Sequence, residues 1–296
     1  MNESVSGKKK DAVIYNEASQ KLSALQEYLK NLGTLVIAFS GGVDSTFLAK
    51  VAYDVLGKQC IAVTACSEIY PSRERKEASV LAQKFGFLHR MIDTSELAIT
   101  AFTGNSPDRC YYCKMELFRM LWHLAKAEGF EHVADGSNVD DLSDFRPGRQ
   151  AADEQHVCSP LKEVGLRKEE VRLLSREMGL PTWNKPSFAC LASRIPYNDP
   201  ITQEKLRQVD LAEEHLRGLG IHQCRVRHHG TVTRIEVSAD DFPLITSELR
   251  EGIISRFQSI GFSYVTLDLS GYRTGSMNEV LPESCTNKSK KINFNE

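Results

Sequence analysis

Two groups of residues in this chain could do chemistry: the string Ser40, Gly41, Gly42, Val43, Asp44, Ser45, and the cysteines at 110, 113 and 190. The string has the makings of an anion cradle. Gly41 and Gly42 let backbone amides come close to a ligand, and Ser40 and Ser45 add hydroxyls. The apolar run from Leu35 to Phe39 reads as a strand buried on both faces, and the spacing from Ser45 onward is helical. The string is then a tight strand-to-helix turn, and the new helix aims its unpaired N–H groups and positive dipole end into the same space. Asp44 is the odd member, because a carboxylate beside a phosphate cradle is repulsive unless a metal lies between them or it caps the helix. Mg²⁺, a capping role, or both are expected there. The common phosphate loop GxxxxGK[ST] is absent, and no lysine follows the glycines directly. An ordinary glycine turn ahead of a helix is the plainer alternative.

The Cys110 and Cys113 pair, in RCYYCK, stands just ahead of a helical stretch, where thiol pKa values fall. Half of a zinc site, a thioredoxin-like dithiol and two ligands of an iron–sulfur cluster are all open to it, and so is simple packing in a turn. A structural zinc site commonly draws on a second Cys-x-x-Cys, which this chain lacks, and the thioredoxin arrangement places the pair directly after the first strand. A third thiolate is wanted. Cys190, in KPSFACLASRIPYN, is the natural one, with Ser193 in the same stretch and Lys185 and Arg194 to favour a thiolate and hold an anionic substrate. A small buried hydrophobe is the alternative for a cysteine between alanine and leucine.

A second anion site is legible in RVRHH, where strand alternation puts Arg225, Arg227 and His229 on one face, although a solvated sheet face has the same pattern. Glu236 reads as a base or as an ion-pair partner for these arginines, and Arg273 is a further candidate. The basic face is local, since a net charge of −2 exerts no global pull on nucleic acid or an anionic membrane. Hydrophobic residues at 41% and charged residues at 26% are those of a soluble globular protein, and no stretch approaches membrane-spanning length. The N-terminus has no apolar core behind its lysines, so the cytoplasm is the expected location. Eight cysteines in 296 residues do not read as a disulfide framework.

These groups need a scaffold that gathers strand ends. Strands are expected at 35–39, 60–66, 87–92 and 131–138, with a fifth strand or edge at 156–161, and helices at 16–31, from 45, from 72, over 114–129 and over 167–178. The alternation argues for an α/β fold, a Rossmann-like parallel sheet with right-handed crossovers, whose ligands gather at the carboxyl ends of the strands. Ser40, Ser67 and Asp135, with Gly136 following it, fall at such ends. The polar stretch 139–155 reads as a loop over the site. Residues 1–14 are expected to be flexible and 15–186 to form this first domain. Residues 187–280 then supply a linker and a smaller α+β domain for substrate binding or oligomerisation: a helix over 202–219, strands at 222–228, 231–238 and 262–269, and a helix over 241–260. Residues 281–296 read as a disordered tail.

In this context SGGVDS resembles the loop of the ATP pyrophosphatase (PP-loop) family. SGGVDS, RCYYCK, DGSNVDDLSDFRPGRQAA, CSPL, PSFACLASRIPY and RVRHHGTVTRIEV also follow one another as in its LarE-type sulfur transferases, over about residues 20 to 280. The resemblance implies ATP held by Ser40, Gly41, Gly42, Asp44, Ser45, Ser67, Asp135, Gly136 and Asn138, with Mg²⁺, and AMP placed on a carboxylate. It implies a pyridinium biscarboxylate mononucleotide as substrate, met by Asp141, Arg146, Ser193, Arg194, Arg225, Arg227 and Arg273, and converted to thiocarboxylates for the nickel-pincer nucleotide cofactor of lactate racemase. Cys190 and Glu236 would be catalytic. Single-cysteine members give up the sulfur of the residue matching Cys190; members with the extra pair matching Cys110 and Cys113 are suited to a 4Fe-4S cluster, and this chain has all three. A homo-oligomer is in keeping with the family. Three rivals remain: a PP-loop tRNA thiolase, which needs a basic RNA surface, an amide-forming synthetase, which needs no thiolates, and a nucleotide sensor without chemistry.

Overall fold

The structure, a computed structural model, describes residues 3–143, 147–186, 189–273 and 275–279. The tail expected at 281–296 and the candidate Arg146 lie outside the described residues. The chain forms two compact units: one of Met1–Ser67, Arg73–Thr94 and Cys113–Phe188, the other of Glu68–Ser72, Ser95–Tyr112 and the residues from Ala189 onward.

In the first unit β1 (Leu35–Ala38), β2 (Cys60–Cys66), β3 (His89–Asp93) and β4 (His132–Ala134) form an all-parallel sheet in the order β3-β2-β1-β4. Leu35 pairs with Cys60 on one side and His132 on the other, and Ala62 with His89. Leu35, Val36 and Ile37 are apolar in succession because a central parallel strand is covered on both faces, and all three are wholly buried. The covering helices are α1 (Glu3–Leu32), α2 (Val43–Leu56) and α3 (Ser72–Phe85). After α4 (Thr100–Thr103), which belongs to the second unit, come α5 (Arg109–Glu128), α6 (Pro147–Glu154), α7 (Pro160–Glu163) and α8 (Lys168–Glu177). Leu25 and Leu29 of α1, Phe47, Leu48 and Val51 of α2, and Val171 and Leu174 of α8 share one core. Each such side chain contributes ~1.5–3 kcal/mol on burial. Helix α1 starts well ahead of the apolar repeat that marks its buried face.

Two expectations for this unit need correction. The stretch 156–161 makes only a bridge between Ala134 and Cys158, because Pro160 cannot donate to a ladder and instead opens α7. The supposed loop at 139–155 contains a 3₁₀ turn, Val139–Ser143, and α6, which Pro147 starts and which buries Ala151 and Ala152. The sheet order confirms a doubly wound arrangement. Strand order reverses between β1 and β4, which opens a crevice beyond their carboxyl ends.

In the second unit α9 (Gln203–Gly218) is capped by Thr202, whose hydroxyl accepts from the Lys205 amide at 3.2 Å. Strands β5 (Cys224–His229) and β6 (Val232–Val237) form a hairpin closed by Gly230 and Thr231, with Gly230 at a φ of 65°. A crossover through α10 (Phe242–Thr246) and α11 (Arg250–Ile260) leads to β7 (Tyr264–Leu267), parallel to β6. The single helix expected over 241–260 is thus two, broken where Ser247 leaves helical geometry. Ala212 and Leu216 of α9 and Ile253 and Phe257 of α11 pack on Val226, Ile235 and Val237. No helix among the described residues is long and apolar enough to cross a membrane.

Candidate active site

The glycine string falls at the mouth of the crevice. Gly41 takes a left-handed φ of 68°, and a Cβ there would stand 3.2 Å from Ala78. A Cβ on Gly136, at the exit of β4, would stand 3.0 Å from the Ser45 nitrogen. Glycine at both positions lets backbone close around the first turn of α2. The Ser40 and Ser45 hydroxyls lie 3.1 Å apart, and the Ser40 amide donates to Ser45 Oγ at 3.3 Å. Ser67 Oγ and Thr46 Oγ1 are buried without a hydrogen-bond partner among the described residues. Asp135 is fully engaged in shaping the exit of β4, accepting from the Ser137 amide at 3.1 Å, Ser137 Oγ at 2.7 Å and Ser159 Oγ at 2.9 Å. Spare hydroxyls and a helix N-terminus at one strand end fit a polyphosphate.

Asp44 does not cap α2, since it lies within the first turn rather than ahead of it, and Gly42 is the N-cap. Its Oδ1 accepts from Asn138 Nδ2 at 3.2 Å and its Oδ2 pairs with Lys168 Nζ. Lys168 was invisible to motif reading because it stands at the start of α8, 124 residues away; the cue available was a charged helix start, RKEEVR, soon after CSPL. The start of α8 also holds the polar loop, for the Lys168 backbone amide donates to Asp140 Oδ2 at 2.7 Å, and within the loop the Asn138 amide donates to Asp141 Oδ2 at 3.0 Å. Lys185 Nζ reaches Glu74 and Glu77 at 2.7 and 2.9 Å and the Gly41 carbonyl at 3.3 Å. Replacing Lys168 with methionine removes a charge-assisted contact worth ~1.5–3 kcal/mol. Calorimetric titration with ATP is expected to show affinity roughly 10–100-fold weaker, and unchanged affinity would remove Lys168 from the phosphate site.

Of the thiols, Cys60 and Cys224 are buried, Cys110 is exposed, and Cys66, Cys113, Cys158 and Cys190 are half-buried. None of the seven described cysteines is in a disulfide. Burial pushes Cys60 and Cys224 up to about 12, and it also raises Cys66 and Cys158, so none of the four is a ready thiolate. The Cys110 and Cys113 pair lies inside the first turns of α5, not ahead of them, because the helix begins at Arg109. Cys110 and Cys190 belong to the second unit and Cys113 to the first. Cys110 and Cys190 act on one phenol: burial raises the Tyr197 pKa, the adjacent Arg109 opposes this, and negative charge on either thiol raises it further. Among the described residues no group of three or more His, Cys, Asp or Glu side chains is placed to hold a metal ion. In donor chemistry alone, three cysteines including a Cys-x-x-Cys suit an iron–sulfur cluster.

Cys190 precedes a 3₁₀ turn, Leu191–Arg194, that is clamped from within. Ser193 Oγ donates to the Cys190 carbonyl at 2.8 Å, and Arg194 Nη1 donates to the Ala189 and Cys190 carbonyls at 2.6 and 2.9 Å. Arg194, expected to meet substrate, is wholly buried with its Nε 2.8 Å from an equally buried Glu213. Arg217 joins Glu213 from the next helical turn at 2.7 Å. Burial would raise the Glu213 pKa, but Arg194, Arg217 and Arg225 outweigh it and hold the carboxyl at about 2.

The β5–β6 hairpin is drawn to the same turn. Arg227 Nη1 donates to the Ser193 carbonyl at 3.0 Å, and its Nη2 meets Glu236 at 2.7 Å. Glu236 is fully buried and also takes Arg234 at 3.0 Å and Ser276 Oγ at 2.8 Å, so of its two expected roles the geometry displays the ion-pair partner. Arg225 lies 5.2 Å over the Tyr272 ring, while burial, followed by the nearness of Arg194, lowers its pKa. Arg273 pairs with Glu279 at 3.0 Å, and His229 ends the strand exposed. Ser193, Arg194, Arg225, Arg227 and Glu236 are thus brought together around the turn that bears Cys190.

A family model described as NAD synthase matches residues 17–115. The chain is 46% identical over 262 residues to an uncharacterised protein of Synechocystis, covering 88% of this chain and 98% of that one. It is 37% identical over 268 residues to the pyridinium-3,5-bisthiocarboxylic acid mononucleotide synthase of Lactiplantibacillus plantarum, covering 89% of this chain and 96% of the other. A glutamine-hydrolysing GMP synthase of Aeropyrum pernix is 30% identical over 200 residues, 62% of this chain but 39% of that enzyme.

Proposed function

We propose that this chain, which belongs to the LarE-type sulfur transferases of the PP-loop ATP pyrophosphatase family, adenylylates the carboxylates of a pyridinium biscarboxylate mononucleotide and converts them to thiocarboxylates. The observation that carries the reading is the placing of three thiols: Cys110 and Cys113 stand in the first turns of α5, exposed and half-buried, and Cys190 is half-buried on a turn clamped by Arg194 and Ser193. An amide-forming synthetase has no use for them.

A substrate carboxylate oxygen attacks the α-phosphorus of ATP and pyrophosphate leaves, so that an unreactive carboxylate becomes a mixed anhydride. Ser40, Gly41, Gly42 and Ser45 hold the departing phosphates by hydroxyl and amide donors, and Lys168 offsets their charge. Asp44, with the phosphate oxygens, would hold Mg²⁺, whose charge assists the departure of pyrophosphate. Sulfur then takes the acyl carbon and AMP leaves. Arg225 would offer the mononucleotide phosphate a cation on the strand face, while Arg227, buried against Glu236, holds the Ser193 carbonyl and Arg194 keeps Cys190 presented by fixing its carbonyl. Cys110, Cys113 and Cys190 would be the protein ligands of a 4Fe-4S cluster, which when bound would supply sulfur for the transfer. The net charge of −2 favours this small substrate over tRNA, in a homo-oligomer working in the cytoplasm.

Incubation with ATP and the pyridinium dicarboxylate mononucleotide is expected to release pyrophosphate and to give product in which oxygen is exchanged for sulfur. Release stimulated by tRNA instead would overturn the assignment. Anaerobically purified protein is expected to contain iron and acid-labile sulfide in near-equal amounts, both lost in Cys110→Ala and Cys190→Ala. Metal-free protein would sink the cluster and make Cys190 itself the donor, leaving dehydroalanine at that position after turnover.

A further inference from the structure

The segment bearing Cys190 is held from a second direction, by an asparagine in the segment that leads to Cys110. Asn105 is wholly buried and takes a φ of 55°, which few residues with a side chain adopt. Its Nδ2 lies 2.7 Å from the Pro196 carbonyl, 2.9 Å from that of Asp199 and 3.3 Å from that of Ile195. An amide has two hydrogens, so three acceptors converge on two donors. Its Oδ1 accepts from Arg109 Nη1 at 2.7 Å, and its own carbonyl accepts from the Asn198 amide at 3.0 Å.

Arg109 is the residue before Cys110. It is 4% exposed, its Nε is buried without a partner, and its guanidinium lies 4.3 Å over the Tyr197 ring. Left-handed backbone and an incompletely paired buried cation both cost stability, so stability alone does not account for this arrangement. Its effect is geometric. Residues 189–199 are pinned at one end by Arg194, which Glu213 anchors, and at the other by Asn105, which Arg109 couples to the start of α5. We infer that Asn105 is a positioning residue for sulfur transfer: through Arg109 and the carbonyls of residues 195–199 it fixes Cys110 and Cys190 in one frame. The inference rests on the reading of these thiols as the sulfur-handling groups, but the frame itself can be measured without substrate.

Asn105→Gly keeps the left-handed backbone and deletes the side-chain links. On the full, reduced chain stripped of metal by chelation, a short bismaleimide would be used to join Cys110 to Cys190, with the product mapped by mass. The expected result is a linkage rate lower by about tenfold, while single-site alkylation of each thiol stays within about twofold. In turnover with ATP and the pyridinium dicarboxylate mononucleotide, pyrophosphate release is expected within about twofold of wild type and thiocarboxylate per pyrophosphate lower by roughly 10–100-fold. Wild-type linkage in the variant, or an equal fall in both half-reactions, would overturn the positioning role. If wild type releases no pyrophosphate with this substrate, the functional reading fails and the linkage rates alone decide the frame. Should Asn105→Gly not fold, Arg109→Lys, which keeps the charge and loses the fork to Asn105, carries the same linkage and turnover tests.

Discussion

Replacing Cys190 with serine is expected to abolish thiocarboxylate formation while ATP-dependent pyrophosphate release continues. The two half-reactions use different groups. On the proposed mechanism adenylylation draws on the glycine string, Ser45 and Lys168, all in the first unit, whereas Cys190 sits in the second on a turn whose shape comes from backbone carbonyls bound to Arg194 and Ser193. Serine changes none of those backbone contacts and is nearly the same size. It removes a nucleophile and soft ligand for which an alkoxide is no substitute at neutral pH, so the loss should exceed ~10³-fold. The check is paired: pyrophosphate by coupled assay and thiolated product by mass, from the same reaction. A serine variant that still makes thiocarboxylate at more than a trace would move the sulfur chemistry away from Cys190.

The second large effect is on stability. Glu213→Gln should cost roughly 3–5 kcal/mol, because it leaves the wholly buried Arg194 and its neighbour Arg217 without their counter-charge. That is a large share of the ~5–15 kcal/mol that holds most domains folded. The pH dependence has a definite sign. The folded carboxyl titrates at about 2, below its ordinary value of 4.5, so its contribution is fully present above pH 4.5 and is lost as pH falls toward 2. Urea melts of wild type and variant should therefore differ most near neutrality and converge over that acid window. A gap that is small at pH 7, or that widens on acidification, would contradict the assigned pairing.

The sheet was legible because its strands are marked by composition: Leu35 to Ile37 can only be a strand covered on both sides, and the glycines after it need a turn. The failures have physical causes. Val157 and Cys158 are apolar enough for a strand, yet Pro160 ends any ladder there. Polar residues at 139–155 concealed α6, whose buried face is only two alanines wide. Lys168 carries no signal in the motif itself because it is 124 residues from Asp44, and only the fold brings it from α8 to the glycine string. Arg194 misled in the opposite direction. A cation beside a cysteine suggested an anion receptor, but Glu213, invisible as its partner at this sequence distance, takes up the charge.

The composition of the second unit bears on how the chain is made. Its pieces at 68–72 and 95–112 are interleaved with the strands and helices of the first unit, and the remainder begins only at Ala189. During synthesis Asn105 therefore leaves the ribosome some ninety residues before the carbonyls it will bind, and Arg109 waits with it. The first sheet can close early, but the frame around Cys110 and Cys190 cannot be assembled until late in translation. On the proposed assignment of these thiols, sulfur chemistry is thus the last competence the nascent protein acquires, after the means of activating a carboxylate are already in place.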